Sequence, residues 1–172
     1  MRWHALIPLF ALAVLPPPTQ ADTLGRINIQ LYGNIIDWTC VAVADDVTKS
    51  VPLGRWTTTQ LLHKGDTTPP VHFQLRLTGC PTGPVSIAFR GISDPSDEGL
   101  LALNSGSSSK NVAVQFMDQY KKNLPFKQTS QTVQADENGN AVFNFYARYI
   151  AVADYPKPGT ADADALFLIN YD

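Results

Sequence analysis

The sequence predicts an all-β sandwich, and three observations favour this fold class. Apolar and polar residues alternate through several short segments, which is the pattern of strands with one buried face. No segment keeps a helical apolar stripe through three turns. Turn-forming Pro, Gly, Asn and Ser residues separate the alternating segments, as they do in sandwiches built from many short strands.

The clearest predicted strand covers residues 71–78, where the alternation runs without a break. The same pattern predicts four more strands, at residues 85–89, 112–116, 141–149 and 163–171. A Ser/Gly loop precedes the second of these four strands, and an Asn-Gly turn signal precedes the third. The least strand-like stretch, residues 57–63, is too short for a major helix. We therefore expect one all-β domain without internal repeats.

Composition limits the possible functions. The chain has 172 residues, of which 44% are hydrophobic, and this suits one compact domain. Its 13 Lys and Arg residues face 15 Asp and Glu residues, so no basic surplus exists to bind a phosphate backbone. Three histidines and two cysteines are too few for a metal cage built from these residue types. We expect no nucleic-acid partner, no bound metal and no cofactor.

Residues 1–21 predict a secretory signal peptide. Arg2 precedes an apolar run of 11 residues, and a Pro-rich segment with small residues at Thr19 and Ala21 follows. A retained membrane anchor is the alternative, but spanning a bilayer takes about 20 apolar residues. Export would place Cys40 and Cys80 in an oxidising environment. Because an exported chain with two cysteines offers each only the other, we expect one disulfide bond between them.

The segment that follows the predicted signal peptide has an unusual position. Residues 26–35 alternate as regularly as any internal strand, yet they begin within five residues of the expected mature N-terminus. At about 3.3 Å per residue, such a strand reaches roughly 33 Å. Two interpretations are open: an ordinary first strand of this domain, which the pattern alone favours, or a strand that is offered to a neighbouring chain by β-augmentation.

No catalytic constellation is predicted. His72 falls on the polar face of its strand, so we expect a solvated side chain rather than a general base. No nucleophile elbow and no Ser/Lys pair stands out. The acidic residues 94–98 lack the ligand spacing of a calcium loop and predict a solvated turn. Lys121-Lys122 and Asn138-Gly139 predict turns as well. Because none of these segments predicts a catalytic site, we expect neither an enzyme nor a small-molecule substrate.

Several motifs carry a resemblance that extends over residues 25–172. Gly33 lies inside the alternating extension, seven residues before Cys40. The other motifs are Val51-Pro52-Leu53-Gly54, residues 73–80 leading into Cys80, residues 100–103, 111–115 and 145–149, a glycine fourteenth from the end (Gly159) and a penultimate tyrosine (Tyr171). On these motifs the chain resembles a chaperone-usher fimbrial subunit, a pilin of the type 1 pilus kind. It is most similar to the minor adaptor subunits of the fimbrial tip.

The resemblance implies an incomplete immunoglobulin-like sandwich that lacks its seventh strand. It divides the chain into a signal peptide (residues 1–21), a donor-strand extension (residues 22–35) and a pilin domain (residues 36–172). The missing strand would leave a groove beside the C-terminal strand, where the implied groove and chaperone-binding residues are Gly159, Ala165, Phe167, Ile169 and Tyr171. The extension would present Ile27, Ile29, Leu31, Gly33 and Ile35 to a neighbour.

The same resemblance implies partners and a location. The partners are a periplasmic pilus chaperone, an outer-membrane usher and neighbouring fimbrial subunits. The chain would be exported through the periplasm into a fimbria on the cell surface, where the fibre contributes to cell adhesion.

A rival hypothesis is a stand-alone secreted adhesin with a lectin-like carbohydrate site. Its exposed aromatic residues would be Trp38, Trp56 and Tyr155. However, Trp38 lies two residues before Cys40 and is more simply explained by packing near the disulfide. Only 18 residues separate the predicted cleavage site from Cys40, so we expect no lectin domain ahead of the sandwich.

Overall fold

The computed structural model describes residues 40–171. Among them, nine strands and one short helix follow one another in the order β1 (Val41–Ala42), α1 (Ala44–Val47), β2 (Val71–Thr78), β3 (Pro84–Arg90), β4 (Ser93–Asp94), β5 (Asp97–Leu101), β6 (Val112–Met117), β7 (Val133–Gln134), β8 (Ala141–Ala151) and β9 (Leu166–Tyr171). A single 3-10 turn covers Thr58–Gln60. The predicted signal peptide, the extension with its five donor positions and Trp38 lie outside the described residues.

The strands form two antiparallel sheets. The larger sheet has the order β1-β2-β8-β6-β5-β4, and the smaller sheet has the order β7-β3-β9. Strand β8 is the centre of the larger sheet because it pairs with β2 along one edge and with β6 along the other. No helix within residues 40–171 is long and apolar enough to cross a membrane.

Phenylalanine rings from both sheets build the core. Phe89 of β3 stacks on Phe116 of β6 with ring centroids 4.3 Å apart. Phe73 of β2 approaches both of these rings edge-on, at 6.2 and 6.4 Å. All three side chains are buried. Because aromatic pairs add about 0.5–1.5 kcal/mol beyond the area that they bury, these contacts fix how the two sheets pack.

The predicted disulfide between Cys40 and Cys80 is present. Cys40 directly precedes β1, and Cys80 follows the end of β2. These two strands are neighbours, with Val41 opposite Thr78. The bond therefore ties the entry of the described chain to the edge of the larger sheet.

Four of the predicted strands are confirmed, namely β2, β3, β6 and β8, and β8 continues two residues beyond the prediction. The predicted C-terminal strand is too long at its start, since β9 begins at Leu166 and not at residue 163. The reason is a competing set of hydrogen bonds: the backbone N–H of Asp164 donates to the side-chain Oδ1 of Asn104, and the N–H of Asn104 donates to the carbonyl of Asp162.

The short elements were not predicted from the sequence. They are α1 and strands β1, β4, β5 and β7. The expectation that residues 57–63 hold no major helix is confirmed, since a single 3-10 turn with a capping box on Thr57 is found there. Asn138-Gly139 and Lys121-Lys122 form turns as predicted. Gly139 and Lys121 adopt the positive φ values of 75° and 61° that such turns require.

The acidic segment at residues 94–98 forms a turn, as predicted, but its first carboxylate is not solvated. Asp94 is only 8% exposed. Its Oδ1 accepts hydrogen bonds from the backbone N–H and the hydroxyl of Ser96, and these bonds close the tight connection between β4 and β5. Local donors therefore offset the burial of Asp94.

Candidate functional site: an apolar groove beside β9

Strand β9 has a hydrogen-bonded partner on one side only within the described chain. It pairs with β3 over six positions, from Val85 opposite Tyr171 to Arg90 opposite Leu166. It is the last strand of the smaller sheet, so its other edge faces no described strand. An edge of this kind presents a row of backbone N–H and C=O groups that another strand can pair with.

The inward face of β9 is less buried than that of β3. Cross-strand partners share a face, so Ile169 lies beside Ile87, and Phe167 lies beside Phe89. Ile87 and Phe89 are buried, whereas Ile169 and Phe167 are half-buried and pack against the edge of the core. Tyr171 is 39% exposed. The core is therefore incompletely covered along β9.

A groove with a volume of about 870 Å³ runs through this uncovered part of the core. One side is a segment that we call the leading wall, residues 48–55. The opposite side, the trailing wall, is residues 161–167 and includes the first part of β9. The floor is mainly apolar and is formed by Phe73, Leu75, Phe89, Leu101, Val114, Phe116, Ala147 and Tyr149.

Side chains, rather than a regular strand ladder, hold the start of the trailing wall. The hydroxyl of Ser107 donates to the carbonyl of Asp162 and accepts from the backbone N–H of the same residue, at 3.0 and 2.8 Å. The hydroxyl of Tyr149 donates to the carbonyl of Ala161 at 2.7 Å. Burial raises the pKa of Tyr149 above its ordinary value, and the nearby Asp162 carboxylate adds to this rise. Tyr149 therefore stays a neutral donor at physiological pH.

A second cavity of about 610 Å³ continues the groove beyond Tyr149. The two spaces share lining residues, among them Tyr149, Gly54 and Ala161. Gly159 lines the second cavity and packs closely against the loop that follows β5. The Tyr149 ring therefore lies where the two compartments meet.

The leading wall begins beside a fully buried carboxylate. Asp46 of α1 is 0% exposed. Its Oδ2 accepts from the backbone N–H and from Nε of Arg76 on β2, at 2.8 and 2.9 Å, and its Oδ1 accepts from Nζ of Lys49 at 2.6 Å. These bonds, above all that from the Arg76 side chain, hold the pKa of Asp46 well below its ordinary value, although burial opposes them. The carboxylate is therefore ionised and paired.

The end of the leading wall is fixed by an indole ring. Nε1 of Trp56 donates to the carbonyl of Leu53 at 2.7 Å. Gly54 lies between them with φ of +89°, and a Cβ atom placed there would lie 3.3 Å from the same indole nitrogen. A glycine suits this turn because L side chains rarely adopt such a φ.

Residues 40–171 contain no group of three or more His, Cys, Asp or Glu side chains that could hold a metal ion. His72 is exposed and contacts the Asn144 side-chain oxygen at 3.0 Å, which agrees with its predicted place on the polar face. Of the aromatic residues in the adhesin hypothesis, Tyr155 is exposed and Trp56 is partly buried at the second cavity.

The structure brings some of the predicted groove residues together and separates others. Phe167 and Ala165 line the groove, and Gly159 lines the second cavity. Ile169 and Tyr171 continue the same inward face of β9 beyond the groove. Sequence reasoning missed most of the leading wall and also Tyr149 as a groove residue. The Val51-Pro52-Leu53-Gly54 motif was the available signal for the wall, because it lies at its centre.

Comparisons with known proteins give a consistent result. A family model described as fimbrial protein matches residues 29–172. The chain is 49% identical over 157 residues to the fimbrial-like protein FimF of Salmonella typhimurium, and the match covers 91% of each chain. It is 31% identical to the type-1 fimbrial protein A chain of Escherichia coli K12, over 88% of this chain and 86% of that one.

Solved structures share the fold. The P pilus rod subunit PapA superposes with a TM-score of 0.63 at 19% identity, over 77% of this chain and 99% of that chain. The match at this low identity shows that the described domain has the pilin fold.

Proposed function

Because the chain belongs to the fimbrial protein family, in which it is a structural subunit of a fimbria, we propose that it assembles by donor-strand exchange. In this proposal the groove beside β9 accepts an extended strand from another chain. The chain's own extension, residues 22–35, fills the groove of the neighbouring subunit. Fimbrial subunits of this kind assemble with one another into surface fimbriae.

The open groove is the observation that carries the proposal. An inserted strand would receive main-chain hydrogen bonds from β9 and place alternate side chains on the phenylalanine floor. Each apolar side chain buried there would contribute about 1.5–3 kcal/mol. The predicted donor positions Ile27, Ile29 and Leu31 have the period of two that such a strand needs.

The same groove supports the proposed partners. Before assembly, an unpaired edge beside exposed apolar surface is an aggregation hazard. A periplasmic chaperone that lends a strand would cover β9 during export, and an outer-membrane usher would then exchange that strand for the next subunit's extension. We place the chain as a minor adaptor subunit, since its identity to the FimF protein exceeds its identity to the type-1 A chain, 49% against 31%.

A pair of adjacent substitutions in β9 tests the groove. Ile169→Asp places a carboxylate on the inward face, where an inserted strand would bury it at a cost of several kcal/mol. Leu168→Asp is the matched control, because Leu168 is 47% exposed on the opposite face of the same strand. Each variant is co-expressed with a periplasmic pilus chaperone, and the captured subunit is quantified. We expect Ile169→Asp to abolish capture and Leu168→Asp to preserve it; equal capture of both variants would contradict the groove assignment.

A deletion tests the extension. Without residues 22–32, the subunit keeps its own groove and should still form a stable complex with the chaperone. It should no longer complement the groove of the subunit ahead of it. If the truncated chain loses both folding and chaperone binding, the segment is an ordinary first strand of this domain.

A further inference from the structure

The leading wall, residues 48–55, has little backbone support from the rest of the described chain. Residues 50–55 make no backbone-to-backbone hydrogen bond with any other residue between positions 40 and 171. Val51 and Leu53 pack against the core, which orients the wall but does not set its position along a hydrogen-bonded ladder. Side-chain contacts to residues 40–171 are therefore the next candidates for holding the segment opposite β9.

Two side-chain hydrogen bonds within the described chain lie at the ends of the wall, one at each end. At the start, Lys49 extends its ammonium group to Asp46, which Arg76 in turn anchors to β2. At the end, the Trp56 indole donates to the carbonyl of Leu53. Both contacts are partly buried, and the first joins groups of opposite charge, so each is stronger than a solvated surface contact.

We propose that Lys49 and Trp56 are positioning residues of the groove, and that the buried Asp46 is the anchor for Lys49. They hold the leading wall where its backbone can pair with the free edge of an inserted strand, while β9 pairs with the other edge. The inference deepens the proposed function and rests on it. Lys49 and Trp56 contribute by placing the backbone of residues 50–55, and their own side chains do not have to contact the incoming strand.

The test uses hydrogen exchange in the complex between the full mature chain and a periplasmic pilus chaperone. Exchange is followed by mass spectrometry in peptides that cover residues 48–56 and, separately, β9. In the wild-type complex we expect slow exchange in both regions. Lys49→Met and Trp56→Phe should accelerate exchange in the leading wall about tenfold or more, because each removes one of its two contacts, and should leave β9 slow.

Matched variants separate positioning from general stability. Lys49→Arg keeps a cation beside Asp46, so exchange in the wall should stay as slow as in wild type. Lys121 lies on a turn away from the groove, and its ammonium group lies over the Tyr146 ring. Lys121→Met removes this cation and should leave the exchange of both the leading wall and β9 unchanged. Both Lys49→Met and Trp56→Phe leave in place the hydrogen bonds that Arg76 donates to Asp46, so we expect the fold to be retained.

The possible outcomes distinguish the two proposals. Fast exchange of β9 in the wild-type complex would overturn the proposed strand acceptance itself. Slow exchange of β9, together with equal exchange of the leading wall in wild type, Lys49→Met and Trp56→Phe, would overturn the positioning roles alone. Faster exchange of the wall in Lys49→Met and Trp56→Phe, together with slow exchange in Lys49→Arg, supports the positioning roles.

Discussion

Strands β3 and β9 lie side by side in the smaller sheet and carry the same period-two pattern of apolar residues, yet they are buried to different extents. Strand β3 has β9 along one edge and, along the other, β7 with further bridging residues. Among the described strands, β9 has β3 alone as a partner. Ile87 is 0% exposed, while its partner Ile169 is only half-buried. Alternation in sequence therefore reports which face of a strand is apolar, but not which chain covers it.

The difference has an energetic meaning. A buried position on β3 contributes its transfer free energy to the isolated subunit, whereas in the proposed function the matching position on β9 would contribute in full only after another strand closes the groove. Substitutions at paired positions of the two strands should therefore separate folding of the subunit from assembly.

The largest effect is expected from Ile87→Asp. The carboxylate would replace a fully buried side chain in the middle of β3, with a cost of about 5 kcal/mol for an unpaired buried charge. This is comparable to the whole stability of many domains. Circular dichroism of the refolded chain should show loss of β structure, whereas Ile169→Asp across the strand pair should retain it. Similar spectra for the two variants would break the comparison between β3 and β9.

Removal of the disulfide should have the next largest effect. Cys40 and Cys80 are 40 residues apart, and closing a loop of this size stabilises a fold by about 4 kcal/mol in the chain-entropy estimate. Replacing both with Ser should lower the urea midpoint and the periplasmic yield strongly. Because both cysteines are buried in the covered part of the core, exposure of β9 should not change. Two free thiols in the native protein would contradict the assignment.

The sequence predicted the regular part of the fold well, and the reason is physical. Long strands with one covered face leave a period of two in the sequence, as in β2 and β8. The disulfide was predictable because each of two cysteines in an exported chain has only the other as a partner. Strand β6 has the alternation as well, although residues on both of its faces are buried, so even there the pattern understates burial.

The walls of the groove were harder to predict, because side-chain hydrogen bonds, rather than a regular strand ladder, are found along them. Such bonds, like those of Ser107 to Asp162, follow no period along the chain. Asp46 illustrates the same limit. In the sequence it is one of two adjacent acidic residues and resembles a solvated pair, but in the fold it is buried under Arg76 and Lys49.

The buried carboxylate of Asp46 predicts that the free energy of unfolding depends on pH. Since Arg76 and Lys49 hold its pKa below the ordinary value, the folded state binds the proton less tightly than the unfolded state does. The stabilisation is therefore complete above the ordinary carboxyl pKa near 4 and is lost progressively as the pH falls below it. Asp46→Asn should cost about 2 kcal/mol at pH 7. Urea midpoints measured from pH 7 to pH 3 should fall less steeply in this variant than in wild type; parallel curves would contradict the role of the carboxylate.

The smallest effect is expected from Gly159→Ala, which acts on the segment that leads into β9. A Cβ atom at this position would overlap the Ser108 hydroxyl and lie 2.5 Å from the backbone nitrogen of Ser109. Because the nitrogen of Ser109 belongs to the backbone, rotation of a side chain cannot relieve this clash, and the backbone itself must shift. Because residues 157–160 are exposed, we expect the overpacking to cost only about 1 kcal/mol, the lower end of its usual range.

Gly106→Ala is the matched control in the neighbouring loop, since a Cβ atom there would meet nothing within 4 Å. Gly159→Ala should lower the urea midpoint slightly and accelerate hydrogen exchange at residues 156–162, which line the second cavity, whereas Gly106→Ala should do neither. The exchange of β3 should be the same in both variants, because the shift is confined to the segment before β9. Equal exchange at residues 156–162 in the two variants would show that close packing of Gly159 against the Ser108 loop does not shape this end of the groove.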